Sequence, residues 1–334
     1  MAALGAGLMP RLAPAGGPGG PASLLADFGF SSGDRRAVMD GEVVAIEIEA
    51  RMDDELAGAA AVRLPVPPGE VARRLRGGLI VLADRAATAH AEITNAPPDA
   101  GWTGVDFSGN QSEVVRLFQV APGDVFNLST TEIAMIRRAL SGGSPQSVDA
   151  GAQASGVYRD VLVGRWRTYR NQGAAGLADY DRGDTAISPA EGLRRITAAG
   201  RLPVMVQPLA RVLDAYPSAQ PRGLENRFYW KKTIVNDRVA FVQSHVAVAE
   251  DPGGTVLFAL REYYVGHSYN VLQQLGAVVA EGDGALMVAV NSTLTDRVAG
   301  PLGIIARPLG SRFARDALGN YFSTMRELCG QPLP

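Results

Sequence analysis

Apolar and polar positions alternate at period two in four successive segments of the second half of the chain, residues 227–235, 239–249, 255–267 and 285–295. That period puts successive side chains on opposite faces and predicts strands. The connections carry turn residues: Asn236-Asp237, then Asp251-Pro252-Gly253-Gly254, then Gly282-Asp283-Gly284. Loops this short join antiparallel neighbours. Over residues 310–329 the period changes, and Phe313, Ala317, Tyr321, Met325 and Leu328 recur every three or four positions. They form an apolar stripe on a helix of about five turns, and such a stripe has to be buried. Residues from about 227 to 330 therefore predict a curved antiparallel sheet closed by a C-terminal helix, an arrangement suited to enclosing an apolar ligand.

The first half is more mixed. Residues 42–50 (EVVAIEIEA) alternate apolar with acidic, as a strand with one wet face does, and residues 56–65 read as a second strand or the continuation of the first. The prolines of PVPPGEVARRLRGGLIVLAD start short helices, which Gly77-Gly78 interrupts. Residues 88–94 and 124–129 (DVFNLS) read as short strands. From 130 to 217 the apolar positions, Val157, Val161, Leu162, Trp166 and Tyr169 among them, recur at helical spacing. The class is α+β, with about seven strands, and the helical block is an insertion between the third and fourth. Residues 1–35 are assigned to a flexible or targeting segment, and 36–330 to a single domain that contains the insertion.

Composition narrows the function. Thirty-two basic residues against thirty-four acidic give no field that would attract nucleic acid. The apolar runs fall short of the roughly 20 residues a membrane-spanning helix needs, so no integral membrane segment is expected. The single cysteine, Cys329, excludes an intrachain disulfide. The Ala-, Gly- and Pro-rich start, with Arg11 its first cation, suits a disordered tail or an export signal, which leaves cytoplasm and periplasm both open.

The candidate chemistry lies on the strands. In residues 255–269 the alternation groups Leu257, Ala259, Arg261, Tyr263, Val265, His267 and Tyr269 on one face. Neighbouring strands group Phe241, Gln243, His245 and Ala247, and Phe228, Trp230 and Lys232. His267, His245, Tyr263 and Arg261 are the candidates for acid–base work, because imidazole titrates near neutrality. Trp230, Phe241, Gln243, Tyr269 and Asn291 are the candidates for contacting a ligand. A face of this composition has the character of an apolar cavity with a few polar anchors. The alternative is that each histidine is simply hydrogen-bonded within the sheet. His90, His245 and His267 show no HxH or HxxxH spacing, so no metal and no cofactor is expected. Lys231 and Lys232 in FYWKK read as an exposed cation pair at a strand end, either simply solvated or, with Arg261 as a deeper partner, meeting a phosphate or carboxylate head group.

The order strand, two short helices, further strands and a long C-terminal helix, with the entry LPVPPGEVARRL, resembles the helix-grip superfamily. That superfamily includes START lipid-transfer domains, plant pollen allergens and bacterial polyketide cyclases. The pieces LFQVAPGDVFNLST, VYRDVLVGRWRTYRNQGAAGLADYDRG, DAYP with ENRFYWKK, and REYYVGHSYN are similar to a group of bacterial proteins that often carry export signals. Cysteines often flank the PGD motif in that group, where this chain has Phe118 and Val125. The resemblance implies a fold and brings no established activity. The expectation is a START-like domain that binds or carries a hydrophobic small molecule such as a lipid. One rival is a cyclase or dehydratase acting in the same cavity, and a second is a structural protein whose insertion fills that cavity.

Overall fold

A computed structural model describes residues 20–94, 101–107, 109–198, 202–299 and 303–332. The described chain begins with two short helices, α1 (Pro21–Asp27) and α2 (Ser32–Met39). Ser31 starts α2 with a capping box: its hydroxyl accepts from the Asp34 amide, and the Asp34 carboxylate accepts from the Ser31 amide. Leu24, Leu25, Phe28, Phe30 and Val38 are buried against the sheet. The expected flexible segment over residues 1–35 is corrected to this extent. Residues 1–19 lie outside the described residues, whereas 21–35 are folded, because four apolar anchors within them, with Val38 just beyond, outweigh a composition rich in Ala, Gly and Pro.

Strands β1 (Val44–Glu47) and β2 (Glu55–Leu64) follow, then helices α3 (Pro68–Arg76) and α4 (Leu79–Leu82), then strand β3 (Ala87–Glu92). Pro68 opens α3 in the first turn, where a missing N–H costs nothing. The inserted block holds helices α5 (Gln111–Phe118), α6 (Thr130–Leu140) and α7 (Ala150–Gln172), a minimal pair of strands, β4 (Tyr180–Asp181) and β5 (Ala186–Ile187), and helices α8 (Pro189–Ala198) and α9 (Gln207–Asp214). The helical character expected over 130–217 is present, and α5 extends it toward the N-terminus. Residues 124–129 are not a strand. Asn127 donates its backbone N–H to the Gly266 carbonyl and its side-chain amide to the carbonyls of Val265 and Tyr269, so the segment is pinned without a ladder.

Five antiparallel strands then run in succession: β6 (Leu224–Val235), β7 (Arg238–Glu250), β8 (Val256–Val265), β9 (Val271–Glu281) and β10 (Gly284–Leu294). Asn236 and Asp237, at φ 50° and 58°, make the tight hairpin that their side chains favour. Helix α10 (Gly303–Cys329) closes the chain. The large sheet has eight strands in the order β1-β2-β10-β9-β8-β7-β6-β3, so β2, from the start of the chain, pairs with the last strand. The architecture is α+β.

Strand β9 is one strand more than the alternation predicts. Residues 271–281 are buried on both faces, and a strand covered on both sides loses its polar alternation. Helices cover both faces of the sheet. On the inner face Val71, Leu75, Leu79 and Ile80 of α3 and α4, with Leu318, Phe322, Met325 and Cys329 of α10, pack on Ala60, Val62, Val246, Phe258, Val278 and Met287. Gly276 is required here: a side chain would collide with the Phe258 ring and lie 2.6 Å from the Val288 carbonyl oxygen. On the outer face lie α1, α2 and the inserted helices.

Candidate functional site

Between the inner face and α10 lies a cavity of about 260 Å³, lined on one side by Ala314, Ala317, Leu318 and Tyr321 of α10 with Ile80 and Asp84. Its floor is one alternate set of side chains from four strands: Lys231 of β6, Leu260 and Glu262 of β8, Leu272 and Gln274 of β9, Asn291 and Thr293 of β10. Register explains the convergence. Gln274 is paired with Leu260 on one side and Asn291 on the other, and Leu272 with Glu262 and Thr293. Residues paired across a ladder share a face, so these polar groups meet on it.

One wall is charged. The Lys231 ammonium lies 2.7 Å from both Asp84 Oδ2 and Glu262 Oε1, and the Tyr269 hydroxyl donates to Glu262 Oε2 at 2.5 Å. Burial by itself disfavours the ammonium, but Glu262 and Asp84 overcome it and hold Lys231 above its ordinary pKa. Burial, then the Glu262 charge, pushes the Tyr269 phenol well above its usual range, so it stays a donor. The Tyr321 hydroxyl donates to the Ile80 carbonyl and ties α10 to α4 across the opening. The opposite wall is neutral: Asn291 donates to Thr293 Oγ1, and Gln274, only 2% exposed, has no partner for Nε2 among the described residues. A buried amide N–H without a partner is uncommon and asks for one.

The row chosen from the alternation lies elsewhere. Trp230, Phe241, Gln243, His245, Arg261 and Tyr263 face outward beneath the insertion. Trp230 donates to the Gly101 carbonyl, Gln243 donates to the Leu162 carbonyl at 2.7 Å, and Phe241 packs on Phe107 and Tyr158. Arg261 is fully buried and spends its guanidinium on Gln273 Oε1 (2.7 Å), the Leu213 carbonyl (2.9 Å) and Asp214 Oδ1 (2.8 Å). His245 accepts from the Tyr169 hydroxyl at Nδ1 and donates from Nε2 to Asn226 Oδ1. His267 sits past the end of β8, accepting from the Ser268 hydroxyl and donating to the Val239 carbonyl. Burial, then a nearby arginine (Arg261 for His245, Arg238 for His267), lowers their pKa values to about 3 and about 4. Both are neutral near pH 7, with each ring nitrogen engaged. His90 is exposed on β3.

A bulge breaks the expected row. Gln243 pairs with Tyr264 and Ser244 with Glu262, so Tyr263 is an extra residue in β8. Tyr263 and Tyr264 both turn to the insertion. Tyr263 stacks on Tyr169 at 3.9 Å, and the Tyr264 hydroxyl meets that of Tyr158 at 2.6 Å. Beyond Val265 the strand has ended, and the Tyr269 hydroxyl reaches Glu262 from the turn that follows. Of the expected ligand contacts, Asn291 lines the cavity and Tyr269 reaches its charged wall. The expected solvated pair is corrected too: Lys231 is held by two carboxylates, and Lys232, on the opposite face, donates to the Asp106 carbonyl at 2.6 Å. Asp84, Glu262, Gln274 and Thr293 are additions that the sequence reading misses. The available signal is the pair Gln273-Gln274 inside an apolar run, which gives each face of that strand one amide.

Among the described residues no group of three His, Cys, Asp or Glu is placed to hold a metal ion, and no helix is long and apolar enough to cross a membrane. No protein-family model matches the chain, and no curated protein matches it. Among solved structures it is similar to the crystal structure of TTHA0849 from Thermus thermophilus, with 8% identity, 82% of this chain and 96% of that one covered, and a TM-score of 0.34. Likeness at that level carries no argument for fold or activity.

Proposed function

We propose that the chain is a helix-grip protein that binds a small hydrophobic molecule in the cavity beneath α10. The observation that carries this is the cavity itself, with Ala314 and Ala317 where bulkier residues would close it and the apolar side chains of Leu260, Leu272 and Leu318 in its lining. Supporting the fold assignment is the order of elements: β2, two short helices, β3, five strands and a closing helix, with β2 seated beside β10. The insertion covers the outer face, so it does not occupy this space.

Size limits the ligand. At the roughly 30 Å³ that a water molecule occupies in the liquid, 260 Å³ corresponds to about nine heavy atoms. The enclosed part of a ligand is then a single short chain or one ring, and the pocket opens to solvent beside the exposed Ala317. Native mass spectrometry of the gently purified protein, with thermal shifts against seven-carbon compounds, tests the reading. A bound small molecule or a saturable rise in Tm is expected, and Ala317→Trp, which fills the cavity, should remove either one without lowering the melting temperature of the free protein. Undiminished binding by that variant, or no binding by the wild type, would overturn the assignment.

A further inference from the structure

We infer that the ligand is an organic monocation, a protonated amine on a short chain or single ring, with its ammonium against Asp84 and its apolar part on Leu260, Leu272 and Leu318. This rests on the cavity reading above and adds the chemical class. The titratable groups that line the cavity are Asp84, Lys231, Glu262 and Tyr321, and Tyr321 spends its hydroxyl on the Ile80 carbonyl. Two carboxylates against one ammonium give a formal charge of −1. Lys231 shows what this wall holds: an ammonium on a four-carbon stem, 2.7 Å from both Asp84 Oδ2 and Glu262 Oε1.

Access separates the two carboxylates. The Asp84 side chain is 21% exposed and that of Glu262 only 2%, so a ligand reaches Asp84 and feels Glu262 through its charge alone. An ionised carboxylate offers about four lone-pair sites. Asp84 commits one from Oδ2 to Lys231 and one from Oδ1 to the Ala86 backbone N–H, which leaves others to accept from a second ammonium. An anion finds no matching partner, because the one ammonium on this wall already lies between both carboxylates. Charge then sets the order of preference. At comparable separations two attractions outweigh one repulsion, so a cation is drawn in and an anion repelled, and the apolar lining screens either effect less than water would. The negative potential reaches the helix side of the cavity: after burial, the charges of Asp84 and Glu262 hold the Tyr321 phenol well above its ordinary range.

The experiment is a comparison of heptylamine, 1-heptanol and heptanoate at about pH 7.5, where the amine is protonated and the acid ionised, by calorimetric titration against the wild type, Asp84→Asn and Ala317→Trp. The amine is expected to bind at least tenfold more tightly than the alcohol, with heptanoate the weakest. Asp84→Asn makes the wall neutral and keeps an oxygen for the Ala86 N–H, and it should cut the ratio of amine to alcohol affinity roughly tenfold. The alcohol or heptanoate binding as tightly as the amine, or a ratio unchanged in Asp84→Asn, would overturn the inference while the cavity reading stands. Binding of none of the three, or binding that Ala317→Trp leaves undiminished, would instead remove the cavity reading. The wild-type series decides the charge question even if a variant fails to fold.

Discussion

Replacing Lys231 by methionine is expected to destabilise the fold by about 3–5 kcal/mol, seen as a lower urea midpoint with an unchanged slope. The reason is what stays behind. Glu262 and Asp84 would keep their places on the inner face with the only ammonium between them removed. Uncompensated charge in that setting is the costly case, unlike an exposed ion pair, which contributes about 0–1 kcal/mol. Adding Glu262→Gln should recover at least half of the loss, because a neutral amide can still accept from Tyr269. A single-variant effect below about 1 kcal/mol would show that water reaches this wall freely and that the charged cluster behaves as an exposed one.

Acidification gives the second large effect. Stability is expected to fall on the order of 5 kcal/mol between about pH 8 and pH 4.5, from His245 and His267 together. Both folded-state values, about 3 and about 4, lie below the ordinary 6.5. Between those limits the unfolded chain binds protons that the folded chain excludes, so stability rises with pH. The contribution is complete above about 6.5 and lost progressively below it. The carboxylate of Glu113, which burial pushes up but Arg238 pulls down further, acts in the same direction only below its ordinary 4.5, outside this window. His245→Gln should lower stability near neutrality and remove about half of the pH slope in urea titrations. A flat profile would mean that the two imidazoles are solvated.

Part of this arrangement is legible in the sequence and part is not. The alternation in residues 227–295 locates four of the five consecutive strands, and the stripe from Phe313 to Leu328 locates the closing helix, because both depend only on local period, although Phe313 and Ala317 of that stripe are exposed rather than buried. Strand β9 escapes because helices cover both of its faces, which removes the polar half of the signal. The site escapes for a different reason. Alternation tells which residues share a face; it does not tell which face the ligand sees. His245, Arg261 and Trp230 do share a face, and it is the one the insertion covers. Tyr263 shows the second limit: one extra residue in β8 reverses parity beyond it, and no local composition announces the bulge. Asn291 lies on the inner face, with Gln274 as its direct cross-strand neighbour.

The place of the histidines changes the functional picture more than any other feature. Acid–base chemistry requires a titratable group in contact with the substrate, whereas His245 and His267 each have both ring nitrogens engaged within the protein, away from the cavity. The groups that do face the cavity are a neutralised lysine, two carboxylates that hold it and a set of neutral amides.

The most direct measurement is a crystal structure of the protein grown with 1-bromoheptane, whose bromine marks its own position by anomalous scattering. The expected result is a bromine peak within the cavity bounded by Leu260, Gln274, Ala317 and Leu318, lost in crystals of Ala317→Trp. A peak beneath the insertion beside Trp230 and His245, or none anywhere in the wild type, would contradict the assignment of the ligand site to the space under α10.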